Sequence, residues 1–105
     1  MIYRLVLSTA PPDKAPELAR ALVRERLAAC VNVLPGARSF YFWEGQPCED
    51  EESLLLIKTT AAATPRLTSR LLELHPYDVP EIVALPLAPG EGNGRYLDWI
   101  GHSVD

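Results

Sequence analysis

The chain has 105 residues, of which 48% are hydrophobic, and its formal net charge is -4. This size predicts one domain over residues 1–105 with a single core. The acidic balance argues against a nucleic-acid partner, which normally selects a basic surface. No apolar run approaches the roughly 20 residues that span a bilayer, and the N-terminus lacks a signal-peptide cleavage site. We therefore expect a cytoplasmic protein with no membrane partner. Two cysteines are too few for a disulfide scaffold.

The first third of the chain reads as a strand, a helix and a second strand. A short apolar run over residues 3–9 predicts the first strand. Asp13 is expected to cap the helix, with Pro16 in its first turn, where a missing N–H is tolerated. Apolar residues at a spacing of 3.6 form the buried stripe of this helix: Ala15, Leu18, Ala19 and Leu22. A strand that begins at residue 30 follows, and Pro35 and Gly36 interrupt it as a bulge.

A long hairpin over residues 39–60 dominates the middle of the chain. Its predicted arms are residues 39–45 and residues 53–60, because aromatic and aliphatic residues favour strands. The polar segment 46–52 is predicted as the tip. Both faces of the arms are apolar, whereas a solvated hairpin would alternate. We infer that another subunit covers part of this surface.

The last third reads as a helix, a strand and a short helix. Thr64 is predicted to cap the second helix, which should end at His75 because Pro76 disfavours a helical residue before it. A strand is predicted over residues 81–85. Asn93 is expected to cap a last helix over residues 94–100 that buries three apolar side chains, which are Tyr96, Trp99 and either Leu97 or Ile100.

The element order is therefore βαββαβ with an extra helix. Two βαβ halves with right-handed crossovers give a four-stranded antiparallel sheet with both main helices on one face. This is the α+β ferredoxin-like sandwich. It leaves the second face of the sheet bare, and the apolar hairpin indicates that this face is not solvated.

The run His75-Pro76-Tyr77-Asp78 and the nearby Glu81 place an imidazole, a phenol and carboxylates in one short loop. Loops held by a scaffold commonly carry binding groups. One interpretation is a metal or ligand site. The alternative is structural, in which His75 bonds the last carbonyls of the helix and Glu81 bonds backbone amides.

Cys30 is the second candidate, because a thiol is a soft ligand that suits copper(I). A small buried hydrophobe is the alternative. Lys58 follows an apolar run and either points into a shared cleft, where it meets Glu81 or an anionic ligand, or faces solvent. Tyr41 and Trp43 could stack on bases, but packing against a neighbouring subunit fits the acidic chain better.

Several long motifs, in this order, resemble the CutA family of divalent-cation-tolerance proteins. They are Leu27-Ala28-Ala29-Cys30-Val31-Asn32, Ser39-Phe40-Tyr41-Phe42-Trp43-Glu44-Gly45, Leu54-Leu55-Leu56-Ile57-Lys58-Thr59, His75-Pro76-Tyr77-Asp78-Val79-Pro80-Glu81-Ile82 and Tyr96-Leu97-Asp98-Trp99-Ile100. The resemblance covers nearly the whole chain.

The resemblance implies a ferredoxin-like fold and a tight homotrimer with a PII-like shape. It also implies a link to copper and other divalent cations. Metal ligands would be Cys30, His75 and Glu81, and a small ligand would meet Lys58 and Tyr77. Some relatives carry a second histidine just after His75, where this chain has Pro76.

The expected function is thus a trimeric, non-enzymatic protein of divalent-cation tolerance that binds copper or another divalent cation. The alternative is a PII-like sensor of a small ligand, or an assembly scaffold, without a physiological metal. An enzyme is disfavoured because the sequence has no Gly-rich phosphate loop, nucleophile elbow or metal-hydrolase motif. Too few cysteines are present to hold an iron–sulfur cluster.

Overall fold

The computed structural model describes residues 1–105 and has the predicted order of elements. They are β1 (Tyr3–Ala10), α1 (Ala15–Arg24), β2 (Cys30–Trp43), β3 (Gln46–Thr60), α2 (Thr64–Leu74), β4 (Val83–Pro86) and α3 (Gly94–Ser103). The strands form one sheet in the order β2-β3-β1-β4, and every neighbouring pair is antiparallel. The predicted α+β ferredoxin-like topology is confirmed. None of the three helices has the length and apolar character needed to cross a bilayer.

The core lies between one face of the sheet and the helices α1 and α2. Alternate residues of the central strands, including Val6 on β1 and Ile57 on β3, are fully buried and point to this side because side chains alternate along a strand. The apolar stripes of the helices meet them through Leu22 and Leu67, which are also fully buried. The 3.6-residue spacing of the first stripe thus identified the buried side of α1.

The opposite face of the sheet is covered by neither α1 nor α2 and is largely apolar. We call it the open sheet face; it consists of Leu5, Leu7, Cys30, Asn32, Leu34, Leu54, Leu56, Lys58, Val83 and Leu85, as the strand registers pair them. Leu34, Val83 and Leu85 remain 44%, 49% and 43% exposed. The chain covers these side chains only in part, which agrees with the expectation of a bare second face.

The hairpin turns at Glu44 and Gly45, so the predicted polar tip over residues 46–52 was wrong. Both turn residues have positive φ, 51° and 78°, which is the signature of a two-residue type I′ turn. Such a turn matches the twist of the flanking strands, and it allows the acidic segment to pair with β2 instead of forming a loop. A shift in register between Leu34 and Ala37 confirms the predicted bulge.

Because the turn is tight, both strands continue beyond the helical layer and the molecule is elongated, 44 × 25 × 22 Å. The far end of the hairpin exposes several aromatic side chains: Phe40 is 65% exposed, Phe42 75% and Trp43 50%. A surface this rich in exposed aromatic side chains is unusual for a protein that works as a single chain.

The helix ends differ in detail from the predictions. Helix α1 is preceded by Lys14 and α2 by Ala63, and neither start has a side-chain cap. The predicted caps at Asp13 and Thr64 were therefore wrong. The Thr64 hydroxyl instead donates 2.9 Å back to the carbonyl of Thr60. The predicted proline in the first turn of α1 is confirmed, and α2 also has a proline in its first turn. Helix α2 ends before His75, whose backbone is extended as predicted.

The last strand and helix are shifted and lengthened. Strand β4 covers Val83–Pro86, where residues 81–85 were predicted. The Asn93 side chain accepts a bond from the Arg95 amide, as expected of a cap, and α3 continues to Ser103. Ile100 is buried, but Tyr96 and Trp99 remain 41% and 46% exposed. The prediction that these two aromatic residues are buried is wrong within one chain, because no element covers the outer side of α3.

Candidate functional site

The structure separates the predicted site residues into two groups. Cys30 pairs directly with Lys58 across the β2–β3 ladder. The His75 ring instead bonds the carbonyl of Thr9, and Thr9 pairs with Leu54 on β3. Four residues separate Leu54 from Lys58, which is roughly 13 Å at the rise of a β-strand. The cysteine and the histidine therefore do not share a site within one chain.

The first group, which we call the lysine cluster, consists of Cys30, Asn32 and Lys58 on the open sheet face. The Lys58 ammonium donates to Oδ1 of Asn32 and lies 4.0 Å from the sulfur of Cys30. The thiol lies 3.8 Å from the same amide oxygen. Alternation along the strands brings these side chains together, since Cys30 and Asn32 are two residues apart and face the same way.

The second group, which we call the tyrosine cluster, consists of Glu52, His75 and Tyr77. His75 is only 7% exposed. Its Nε2 donates 2.8 Å to the carbonyl of Thr9, and its Nδ1 accepts 3.1 Å from the backbone amide of Tyr77. These partners require a neutral imidazole with the proton on Nε2. Both ring nitrogens are thus occupied by backbone groups, as a structural role requires, but these groups belong to β1 and the loop and are not the last carbonyls of the helix that were predicted.

Tyr77 joins the loop after α2 to the hairpin. Its hydroxyl donates a 2.8 Å hydrogen bond to a carboxylate oxygen of Glu52. Glu52 is buried, with only 6% of its surface exposed. Burial and the neighbouring Glu52 carboxylate raise the pKa of the Tyr77 phenol well above its usual value. The phenol therefore stays protonated and serves the buried carboxylate as its hydrogen-bond donor.

A second phenol–carboxylate pair adjoins the first. Tyr41 of β2 donates to Asp50 of β3, two residues from Glu52 and on the same side of the strand. The bond to Asp50 raises the pKa of Tyr41 to about 12. Asp50 and Glu52 are thus two carboxylates of one acidic run that are each bonded to a phenol, and this run is not a freely solvated tip.

Glu81 is exposed. It lies two residues before β4, near the end of β1 that carries Thr9. The chain contains no group of three or more histidine, cysteine, aspartate or glutamate side chains arranged to hold a metal ion. A closed tetrahedral site needs about four such ligands. The three predicted metal residues Cys30, His75 and Glu81 consequently do not form a metal centre from one chain alone.

Sequence reasoning missed Asn32 and Glu52. Asn32 could have been found, because it is a polar residue flanked by Val31 and Val33 and lies two residues after Cys30 on the same strand. Glu52 is the last of four consecutive acidic residues, and nothing in that run distinguishes it from its neighbours. Only the position of Tyr77 in three dimensions selects it.

The fold and the two clusters define a class of protein: a ferredoxin-like sandwich with an elongated β2–β3 hairpin, an open apolar sheet face and a lysine on that face. The model of the CutA1 divalent ion tolerance protein family matches residues 4–103. The chain belongs to this family, and the resemblance noted in the motifs is confirmed.

Individual relatives agree with this assignment. The divalent-cation tolerance protein CutA of Thermus thermophilus is 58% identical over 97 residues, which cover 91% of this chain and 92% of the relative. A solved structure of Cut A1 from the same organism has a TM-score of 0.93 at 53% identity and covers 98% of this chain and 99% of its own. The PII-like protein CutA from Nostoc, solved in apo form, has a TM-score of 0.92 at 33% identity, covering 100% and 98%.

Proposed function

We propose that this protein is a non-catalytic trimer that binds a small ligand between its subunits, in the manner of a PII-like sensor or scaffold. The observation that carries the proposal is the open sheet face, on which Leu34, Val83 and Leu85 stay more than two-fifths exposed. The resemblance to the CutA family implies three copies. Likeness to a solved protein named PII-like supports the same arrangement.

The energetic reason for assembly is the burial of apolar surface. Each square ångström of apolar surface removed from water stabilises a protein by about 25 cal/mol, and a fully buried leucine contributes about 2 kcal/mol. Leu34, Val83 and Leu85 are each more than two-fifths exposed, and the hairpin adds Phe40 and Phe42. A second copy would remove these side chains from water, and the association would offset its entropic cost.

The assembly is tested by sedimentation equilibrium at micromolar concentration. We expect one species with three times the mass of the chain. A well-behaved species with the mass of a single chain would refute the trimer and any pocket between subunits.

A small ligand is favoured over a metal by the two clusters. The histidine nitrogens bond backbone groups, and the thiol lies beside an ammonium, which repels a cation. A screen of metabolites and divalent metals by thermal shift distinguishes the two, since a ligand that binds only the folded form raises the melting temperature. A shift by metals alone would reject the sensor.

The second candidate is weak binding of copper or another divalent cation, which the description of the family favours. The predicted ligands stay Cys30, His75 and Glu81, with the missing coordination supplied by a second copy. Because His75 would have to give up one of its two backbone bonds, the affinity is expected to be low. The location of the protein in the cytoplasm also stays a prediction.

Calorimetry with Cu(II) tests this candidate. The chain has two histidines, so His102→Ala is a matched control for His75→Ala. Weak binding that His75→Ala abolishes and His102→Ala preserves would support the assignment. Equal affinity in both variants would remove His75 from the site.

A further inference from the structure

Lys58 carries a positive charge on the otherwise uncharged open sheet face. The chain forms four ion pairs, and none includes Lys58. The lysine lies between Leu5 on β1 and Cys30 on β2 in the strand registers, and its neighbours along the same face of β3 are Leu56 and Thr60. Its charge is therefore balanced by no carboxylate of its own chain.

The groups around the ammonium are suited to an anion. The lysine ammonium has three N–H donors, of which one bonds the Asn32 amide oxygen and one points toward the Cys30 sulfur at 4.0 Å. The Asn32 amide nitrogen forms no hydrogen bond within the chain, so its two donors are available. The Cys30 thiol, whose single S–H is directed at the Asn32 amide oxygen, borders these donors. Ammonium, amide and thiol thus converge, and no acidic group competes with an incoming oxyanion.

Assembly makes this charge costly, and this step rests on the trimer proposed above. Once a second copy covers the open sheet face, the ammonium loses much of its hydration. A buried charge without a partner is strongly unfavourable, whereas an anion that accepts its hydrogen bonds restores the balance. A covered lysine cluster therefore favours a negatively charged group beside Lys58.

We propose that the lysine cluster binds a small oxyanion, the carboxylate or phosphate group of a small ligand, at the boundary between two copies. Lys58 supplies the charge, Asn32 donates from its amide, and Cys30 borders the site. The competing source of negative charge is a carboxylate of the second copy, for which the exposed Glu81 is the candidate, and the experiment distinguishes the two.

The first test is calorimetric titration of the assembled protein with inorganic phosphate and, separately, with acetate. The chain has only two lysines, and Lys14, which is exposed beside Glu17, provides a charge-matched control. We expect Lys58→Met to weaken binding of the preferred anion at least tenfold and Lys14→Met to leave it unchanged. The stronger of the two probes identifies a phosphate or a carboxylate ligand. Equal affinity in the two variants overturns the proposal.

The second test needs no variant. Mass spectrometry after amine-specific labelling of the wild-type protein follows both lysines in one molecule. Phosphate or acetate should protect Lys58 from the reagent and leave Lys14 equally reactive. If neither anion protects Lys58, and Glu81→Gln increases its labelling, the second copy's carboxylate occupies the cluster and the anion site is refuted.

Failure of the anion site can be distinguished from failure of the proposed trimer. Sedimentation is measured on the same samples. A trimer that binds neither probe refutes the anion site alone, whereas a single-chain species refutes the assembly on which the site depends.

Discussion

The hydroxyl of Tyr77 donates a 2.8 Å hydrogen bond to the carboxylate of Glu52, joining the loop after α2 to the middle of the long strand β3. Twenty-five residues separate the two in sequence. Glu52 is buried and accepts this bond as its only side-chain partner in the chain, so the phenol stabilises a charge that would otherwise be unpaired. The loop that carries His75 is held to the hairpin by the same contact.

Removal of this phenol should destabilise the fold. Tyr77→Phe leaves a buried carboxylate without its donor, and such an unsatisfied group costs about 1–3 kcal/mol. We expect a loss in that range, measured by urea unfolding with an unchanged slope. Tyr96→Phe is the control, because Tyr96 is exposed and should change stability by less than about 0.5 kcal/mol. Equal losses in both variants would show that the Tyr77–Glu52 bond does not stabilise the fold.

The Tyr41 phenol should lose its proton at a higher pH than an ordinary tyrosine. Its pKa is raised to about 12 by the bond to Asp50, whereas an unfolded tyrosine titrates near 10. The unfolded chain therefore releases the phenol proton first, and the stability that this group contributes is present below pH 10 and declines as the pH rises from 10 toward 12. Phenolate absorbance should show two late-titrating phenols, Tyr41 and Tyr77, and Tyr41→Phe should remove one of them. An unchanged titration curve in this variant would show that Tyr41 is not one of the late groups.

Removal of the buried Ser8 hydroxyl on β1 should stabilise the protein, whereas removal of the buried Thr59 hydroxyl on β3 should destabilise it. Ser8 is fully buried and its hydroxyl has no hydrogen-bond partner. The Thr59 hydroxyl donates 2.6 Å to the carbonyl of Leu27. We expect Ser8→Ala to stabilise the protein by about 1 kcal/mol and Thr59→Val to destabilise it by about 1–2 kcal/mol. Thermal unfolding measures both. A Ser8→Ala variant that loses stability would show that the hydroxyl finds a partner in the assembled protein.

The hairpin turn should be sensitive at Gly45. Its φ of 78° lies in the left-handed region, where an L-residue costs about 1–2 kcal/mol, so Gly45→Ala should lower the free energy of unfolding by about 1 kcal/mol. Gly94→Ala is the control, since Gly94 starts α3 without a positive φ and has open space around it. That change should be neutral or stabilising. A neutral Gly45→Ala would contradict the type I′ turn.

A charge on the open sheet face should break the assembly. Leu85 is 43% exposed on this face and Leu72 is 51% exposed on α2, so the two leucines are matched in exposure. Light scattering after size exclusion should show Leu85→Arg as a single chain and Leu72→Arg as a trimer, because only the first places an unpaired charge in the proposed interface. A trimeric Leu85→Arg variant would place the interface elsewhere.

Local patterns were sufficient for most of the architecture. The stripe through Leu18 and Leu22 identified the buried side of α1, and the prolines and His75 bounded α2, because these signals act within a few residues. The turn was misplaced because Glu44 is an unusual residue at positive φ, whereas the acidic run after Gly45 looks like a loop. Pairing of that run with β2 depends on the strand register and the tight turn, which a local composition pattern does not encode.

The sequence by itself determined the family and the order of elements, and it named candidate site residues such as Cys30, Lys58 and His75, since these depend on motifs and spacing along the chain. Only the tertiary structure decided which of those residues meet. Cys30 joins Lys58 and Asn32 because β2 and β3 place them side by side, and His75 turns instead to the backbone of Thr9. The physical reason is that a sheet register fixes neighbours across strands, and no spacing rule within one strand determines it.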